Sequence, residues 1–517
     1  MQFRHGDEFS MLLEEMIRGN NYTLVHGDFD KIEVTGLAQD NRKVMPGNLF
    51  ICISGAKFDT HTCLADVAAR GAVGAIIEKD VNTEELPEHF TVLRTDSTRL
   101  ALAVLSAVWY DHPADRFKGI IGVTGSKGKT TVTHMLQGIL EEAGCNVGTI
   151  GSNGAIWGGT VHDLNNTTPE STEIQYYLRQ MLDAGVEYAV VECSSQGLMQ
   201  HRVGGITFDI GIFTNISEGD HISPAEHKDF DDYLNCKCML FEQSRKCILF
   251  SQDPHIGMIL SCLRQKRIGE LIFYGRKRLT ADDLKLNNKY LVQDEEKVEL
   301  MGIPCQRFKV TGGPYNMQVD CNLPGDFNIS NALAAISAAG ELEISAEAVC
   351  KALSHLKIKG RFDMVYRSEN FSVCVDFAHN GYSTRNHLEA LREYHPKRLV
   401  CIFGADGNRA KSRRYEMGEA SGRLADLSIV TSGHNRWETF DAICSDIMVG
   451  LQPTGGEYRI IPNRKEAIRY AIENRMPGDL ITILGLGHEN YQEEMGVKTP
   501  YSDSEYALQL IQELVDE

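Results

Sequence analysis

The sequence predicts an α/β protein built from more than one parallel sheet, and three observations carry that expectation. Short runs that are apolar nearly throughout recur along the chain: Gly119-Val123, Tyr188-Val191, Ile210-Thr214, Val373-Phe377, Leu399-Phe403, Leu427-Val430 and Leu480-Leu484. Runs of this length and composition read as strands covered on both faces. Stretches with helical spacing lie among them, as at Thr131-Ala143, Ser330-Gly340 and Ser504-Val515, and strand–helix alternation is the pattern of parallel strands joined by crossovers. Finally, 517 residues exceed what one core holds, at ~150 residues per domain.

Taken in order, the first segment ends in a helix-like Ser97-Tyr110, followed by the break Asp111-His112-Pro113. The strand at Gly119 opens the next segment. A second break falls near Leu356-Gly360, after a helical stretch and before another strand-rich block. The expected domains are therefore 1–113, 114–357 and 358–517. The polar stretch from Leu279 to Val319, with some alternation, reads as β hairpins or loops decorating the middle domain.

Composition narrows the function. With 52 basic and 71 acidic residues the net charge is -19, which excludes broad electrostatic binding to nucleic acid or acidic lipid. Hydrophobic residues at 42% and charged residues at 24% fit a soluble globular chain and not a disordered one. The 14 cysteines are scattered without a C-x-x-C pair, as expected of free thiols in a reducing compartment. The first ten residues carry Arg4, His5, Asp7 and Glu8 with no apolar stretch after them. No run of ~18 apolar residues occurs either, so neither a signal peptide nor a membrane span is expected, and the expected location is the cytoplasm.

The sharpest local signal is Gly119-Ile-Ile-Gly-Val-Thr-Gly125-Ser126-Lys127-Gly128-Lys129-Thr130-Thr131. A strand runs into a glycine turn and then into a helix. Glycines let backbone N–H groups approach phosphate, the helix N-terminus adds its dipole, lysine meets the β/γ oxygens, and the first hydroxyl can reach Mg²⁺. Val123 stands where the fuller phosphate-loop pattern has its first glycine, so a plain glycine turn opening a helix is the alternative. Downstream, Glu192 ends a buried run, and ligands of open α/β sheets sit at such strand ends; its bland alternative is a helix-capping carboxylate. Thr214-Asn215 ends another strand, followed by Asp220-His221, where His221 is either a ligand or an ordinary loop histidine.

These segments, in this order, resemble the Mur ligases, the ATP-dependent amide-forming enzymes of peptidoglycan precursor synthesis. More narrowly, the chain is similar to the branch that adds a diamino acid to UDP-N-acetylmuramoyl-L-alanyl-D-glutamate. The likeness runs from about Gly36 to the C-terminus. It includes Gln39-Asp40-Asn41-Arg42, Asn166-Thr167-Thr168-Pro169, Glu192-Cys-Ser-Ser195, Gln200-His201-Arg202, Tyr233-Leu-Asn-Cys-Lys237, Gly325-Asp-Phe-Asn328, Gly360-Arg361, Val375-Asp376-Phe-Ala-His379, Phe403-Gly404 to Arg414, and Gly485-Leu-Gly-His-Glu489. The resemblance implies three α/β domains: an N-terminal domain binding the uridine nucleotide, a central P-loop ATPase-like domain with a parallel sheet, and a Rossmann-like C-terminal domain presenting the amino acid.

It also implies roles. Gly125 to Thr131, with Arg361, Asp376 and His379, would hold ATP. Lys129, Glu192, His221 and Lys237 would be catalytic. Thr130 and Glu192 would hold one Mg²⁺, while His221 and a CO2-derived carbamate on Lys237 would hold a second. Carbamylation replaces a cation by an anion with two oxygen donors and requires the neutral amine, so the site must favour that form. Lys237 as an ordinary helix lysine is the plain alternative. Gln39, Asn41, Arg42 and the loop Gly55 to Asp59, with Asn166, Thr167, Thr168, Ser194, Gln200 and Arg202, would bind the UDP-muramoyl-peptide. Arg414, Gly433, His434, Asn435, Arg436, Gly485 and Glu489 would bind the incoming amino acid. The implied partners are UDP-N-acetylmuramoyl-dipeptide and a free diamino acid, acting on a monomer.

Four departures from the family pattern stand out. Lys127 replaces a usual asparagine, Gly219 is an extra residue, and Leu486 replaces a lysine. The fourth is Gly433-His434-Asn435-Arg436, which stands where diaminopimelate-selecting enzymes carry Asp-Asn-Pro-Arg. Arg436 favours diaminopimelate, whereas Asp376 to Gly381 and Gly407 to Arg414 look more like the lysine-adding branch, so both amino acids stay open. A relative acting on another acid or amino acid, and a catalytically silent nucleotide-binding scaffold, are the competing readings.

Overall fold

The computed structural model describes residues 9–28, 30–55, 58–218, 222, 226–276, 287–300 and 303–515. Gly219, Asp220, His221 and the loop residues Ala56 and Lys57 therefore lie outside the described residues. The chain forms two compact units: residues 1–291, 312–314 and 333–348, and residues 292–311, 315–332 and 349–517.

Two sheets dominate the first unit, beside a short antiparallel pair, Met11–Leu12 with Glu33–Val34. In the smaller, the strands Gly36–Ala38, Asn48–Ile51, Gly74–Ile77 and Thr91–Arg94 run parallel in that spatial order, and Thr23–His26 closes the edge antiparallel. The helix Thr98–Trp109 follows, with Ser97 as N-cap accepting from the Leu100 amide, as its sequence anticipated.

The larger sheet has a parallel heart, in the order Val147–Gly151, Tyr188–Glu192, Gly119–Thr124, Phe208–Phe213, Ser244–Phe250 and Glu270–Gly275. Every residue of Gly119–Thr124 is buried. This explains why that run is apolar throughout, since both faces are covered. Register fixes the next level: Glu192 pairs with Val123 and Phe213 with Thr124. Three adjacent strands thus end at the same height, and whatever follows them in sequence meets above the sheet.

The second unit is a sheet in the order Asp363–Arg367, Phe371–Asp376, Asp479–Leu484, Arg398–Phe403, Leu427–Val430 and Tyr458–Ile460, parallel except at its first strand. Its core includes Val373, Val400, Ile402, Ile429, Ile481 and Ile483, packed with helix residues Ala467, Ile468, Ile472 and Leu510. The α/β expectation holds throughout. The polar stretch before Val319 forms long strands, Asn288–Leu300, Ile303–Gly312 and Tyr315–Cys321.

Candidate functional site

The site is built at the shared strand height. Gly125 has φ 147° and Gly128, the N-cap of helix Lys129–Glu142, has φ 86°. A Cβ on Gly125 would lie 1.9 Å from Thr214 Oγ1, so only glycine lets the loop pass this close. The loop is tied down by the next strand. Ser126 N donates to Asn215 O (2.9 Å) and Lys127 N to Asn215 Oδ1 (3.0 Å). Lys127 O accepts from Thr214 Oγ1 (2.6 Å) and Asn215 Nδ2 (3.0 Å). The result is a preorganised turn ahead of the N-terminus of a 14-residue helix, a geometry suited to an anion.

Two lysines converge on one atom of this cradle: Lys129 Nζ and Lys237 Nζ each donate to Gly125 O at 2.9 Å. Lys237 projects from the helix Phe230–Glu242 and is 1% exposed. Tyr233, one turn earlier, lies beneath it with Lys237 Nζ 4.5 Å from the ring centroid. The Tyr233 hydroxyl is 2.8 Å from Ser126 Oγ, which in turn accepts from Ser217 N at 3.0 Å.

Glu192, also 1% exposed, faces the cradle from its own strand end. Its Oε2 accepts from Thr130 Oγ1 (2.9 Å) and Ser152 Oγ (3.3 Å), and its Oε1 accepts from Ser152 N (3.0 Å). Ser152 Oγ lies 3.0 Å from Thr167 Oγ1. Thr168 Oγ1 donates to Glu192 O (2.7 Å) and accepts from Ser194 N (2.9 Å). Arg202 donates to Thr168 O (2.8 Å) and pairs with Glu170 (2.8 Å). Thr167, Thr168, Ser194 and Arg202 therefore sit in one network beside Glu192. Gln200 has a buried Oε1 without a hydrogen-bond partner among the described residues, and Asn166 is exposed.

Among the expected nucleotide-sugar residues, Gln39 follows the edge strand with a buried Oε1 that lacks a hydrogen-bond partner among the described residues. Asn41 Nδ2 donates to Asp66 (3.3 Å), and Arg42 is 81% exposed while pairing in-line with Asp40 (2.8 Å). That pairing holds the Asp40 carboxyl down at about 2. Asp59, at the end of the loop that follows Gly55, bridges His61 (2.6 Å) and Lys79 (2.8 Å).

In the second unit, Asp376 ends a strand and accepts from Phe362 N (2.9 Å) and Ala378 N (2.8 Å). The Arg361 guanidinium lies 4.7 Å from the Phe377 ring centroid, and His379 Nδ1 is 2.8 Å from Phe377 O. Arg361, Asp376 and His379 are thus gathered around Phe377, together with His488 at 4.8 Å ring to ring.

The predicted amino-acid residues cluster around His434, whose Nε2 is 2.7 Å from Glu489 Oε2 and whose Nδ1 accepts from Glu493 N at 3.0 Å. Arg436, with φ 53°, pairs with Asp406 at 3.2 Å. Burial raises the Asp406 carboxyl above its ordinary value, opposed by His434 and Arg436. Gly433 O accepts from Gln492 at 3.0 Å, Asn435 is buried with its Oδ1 unpartnered among the described residues, and Gly485 has φ 113°. Arg414 is 1% exposed and spends its guanidinium on Glu438 (2.7 and 2.9 Å), Asp446 (2.8 Å) and Asp406 O (3.1 Å). It supports the loop from behind. Leu486 is buried at 1%, which accounts for an aliphatic residue there.

Sequence reasoning passed over Ser152 and Tyr233 beside the glycine turn and, in the second unit, Asp406 beside Arg436. Only Tyr233 carried a usable signal, its spacing of four from Lys237 on one helical face. The others reach the site by tertiary contact alone.

Known proteins match this arrangement. Residues 123–339 match the Mur ligase middle domain, and residues 360–487 match the Mur ligase, glutamate ligase domain. The chain is 34% identical to a UDP-N-acetylmuramoyl-L-alanyl-D-glutamate–2,6-diaminopimelate ligase of Caldanaerobacter subterraneus subsp. tengcongensis, over 97% of this chain and 99% of that protein. It is 35% identical to the like-named ligase of Clostridium perfringens, over 93% and 96%. A solved structure of a ligase of the same name superposes with TM-score 0.69 at 24% identity, over 98% of this chain and 99% of that one. With the glycine turn, the converging lysines and near-full-length similarity in hand, the chain belongs to the Mur ligase family of ATP-dependent ligases.

Proposed function

We propose that this protein joins a diamino acid to UDP-N-acetylmuramoyl-L-alanyl-D-glutamate at the expense of ATP, with 2,6-diaminopimelate as the amino acid. The observation that carries the reading is the convergence of Lys129 and Lys237 on the carbonyl of Gly125, beside the Thr130–Glu192 pair. The names of the relatives favour diaminopimelate over lysine, and so does Arg436, a cation suited to a distal carboxylate. The division into 1–113, 114–357 and 358–517 remains our reading of the domains, with uridine nucleotide, ATP and amino acid assigned to them in that order.

The chemical problem is repulsion. A substrate carboxylate must attack the γ-phosphate of ATP, displacing ADP to give an acyl phosphate; an amine of the diamino acid then attacks the acyl carbon, loses a proton and displaces phosphate. Phosphoryl transfer of this kind is catalysed by positioning and charge screening. Gly125 to Gly128 offer backbone N–H groups to the phosphates. Lys129 screens the transferred group, and Lys127 adds a second cation. Thr167, Thr168, Ser194, Gln200 and Arg202 orient the muramoyl-peptide, with Gln39, Asn41 and Arg42 on its uridine end. Arg361, Asp376 and His379 contribute to ATP from the C-terminal segment. Arg436, His434, Asn435, Gly433, Gly485 and Glu489 receive the amino acid, with Arg414 bracing Glu438.

The donor set at Glu192 fits Mg²⁺, because a carboxylate and the hydroxyls of Thr130 and Ser152 are hard oxygen donors held together. Bound there, Mg²⁺ would screen phosphate charge. A carbamate on Lys237 would supply oxygens for a second ion together with His221. CO2 reacts only with a neutral amine, and Lys237 is buried beside the glycine turn.

The test is phosphate release from the full-length protein with ATP, Mg²⁺, UDP-muramoyl-dipeptide and a panel of amino acids, products scored by mass. Release that needs both the dipeptide and diaminopimelate is expected. Release indifferent to either, or directed to an unrelated acid, would refute the proposal.

A further inference from the structure

The turn after Glu192 and the helix carrying Lys237 are distant in sequence, yet one side chain spans them. His227 is fully buried at 0% exposure. Its Nε2 is 2.9 Å from Ser195 Oγ and its Nδ1 is 3.2 Å from Asp232 Oδ2. Ser195 opens the short helix Ser195–Met199, three residues past Glu192 and next to its N-cap Ser194. Asp232 lies in the first turn of Phe230–Glu242. The imidazole also meets the Tyr233 ring at 5.1 Å between centroids, the ring that underlies Lys237 and bonds Ser126.

Chemistry assigns the protons. In a neutral imidazole beside the Asp232 carboxylate, Nδ1 donates to the carboxylate and Nε2 is left to accept from the Ser195 hydroxyl. The order of atoms is that of a hydrolytic serine system. Ser195, however, is 5% exposed and its Oγ lies against the ring Nε2, so it is not presented to a substrate.

We propose that His227 is a positioning residue: the Ser195–His227–Asp232 chain holds the turn bearing Glu192 and Ser194 in register with the helix bearing Tyr233 and Lys237. The proposal rests on the ligase reading above. The rival is a metal centre, since donor atoms of His227, Asp232 and Cys236 lie within 4.8 Å of one another. Against it, both ring nitrogens already have partners, and burial pushes the Cys236 thiol up to about 11.

The test compares His227→Phe, His227→Gln, Ser195→Ala and the double variant His227→Phe/Ser195→Ala in the full-length protein. In His227→Phe, kcat should fall at least about tenfold while KM for ATP changes less than about threefold, as loss of alignment rather than of binding requires. Gln, which keeps a polar atom near the Nε2 position, should recover part of the loss. The double variant should be no worse than the poorer single one, because both break the same chain. Three results would overturn the proposal: a lowered Tm with normal kcat, multiplicative losses, or stoichiometric Zn²⁺ binding that Cys236→Ser abolishes. Should His227→Phe not fold, normal kcat in Ser195→Ala would refute it alone. Nitrogen NMR of the wild-type imidazole is independent of ligase activity. An Nδ1–H tautomer whose Nε2 signal shifts in Ser195→Ala supports the chain, and an Nε2–H tautomer or an unmoved signal refutes it. A wild type that releases no phosphate would instead refute the ligase reading and leave the NMR result to decide the relay.

Discussion

Lys237 separates a structural lysine from a working one. Its ammonium is 1% exposed, donates to Gly125 O at 2.9 Å and sits 4.5 Å from the Tyr233 ring centroid. If that is its whole role, replacement removes one charged hydrogen bond, ~1.5–3 kcal/mol of stability. Part of that loss is offset because a buried ammonium no longer has to be desolvated. If it also screens the reacting groups, its loss raises the barrier by ~2.7–4 kcal/mol, about 10²–10³ in kcat. Lys237→Met, which keeps most of the volume, should therefore lose kcat by that factor with only a small change in Tm. Lys237→Ala should lose as much, and formate or acetate, whose carboxylate can enter the space left, should restore part of it. The assay is coupled phosphate release beside thermal unfolding. A kcat within a factor of about three of wild type, at any Tm, would remove Lys237 from the mechanism.

Gly125→Ala should weaken ATP binding at least about tenfold, because the new Cβ meets Thr214 Oγ1 at 1.9 Å and must break the bonds that hold the loop; unchanged nucleotide affinity by calorimetry would contradict the cradle. Arg436→Ala should impair use of diaminopimelate more than use of L-lysine, since only the former brings a distal carboxylate, and equal losses in kcat/KM would show the loop is misassigned. Arg414 and the Asn408 amide hold the Glu438 carboxyl down at about 2. A folded-state value below the unfolded one contributes stability that is present above the ordinary value of 4.5 and is lost as pH falls toward about 2. Glu438→Gln should therefore be less stable than wild type at neutral pH, and the gap in Tm should close between pH 5 and pH 2; a pH-independent gap would refute the pairing.

What the sequence determined by itself was set by local rules. Runs such as Gly119 to Val123 are apolar because both faces of a central strand are covered, so strand identity and the α/β class follow from composition along the chain. The strand–glycine turn–helix at Gly119 to Glu142 was equally legible, because its glycines answer to backbone geometry within a few residues. Lys129, Thr130 and Glu192 could be named for the same reason, each lying at a strand end or helix start. Tertiary structure alone decided the rest. Register puts Glu192 opposite Val123 and Phe213 opposite Thr124, and only that alignment brings Ser152, Asn215 and Tyr233 to the cradle. His227 joins Ser195 to Asp232, and Asp406 reaches Arg436 across 30 positions. Neither contact leaves a periodicity in the chain, because a side chain that bridges separate elements is constrained by distance in space and not by spacing in sequence.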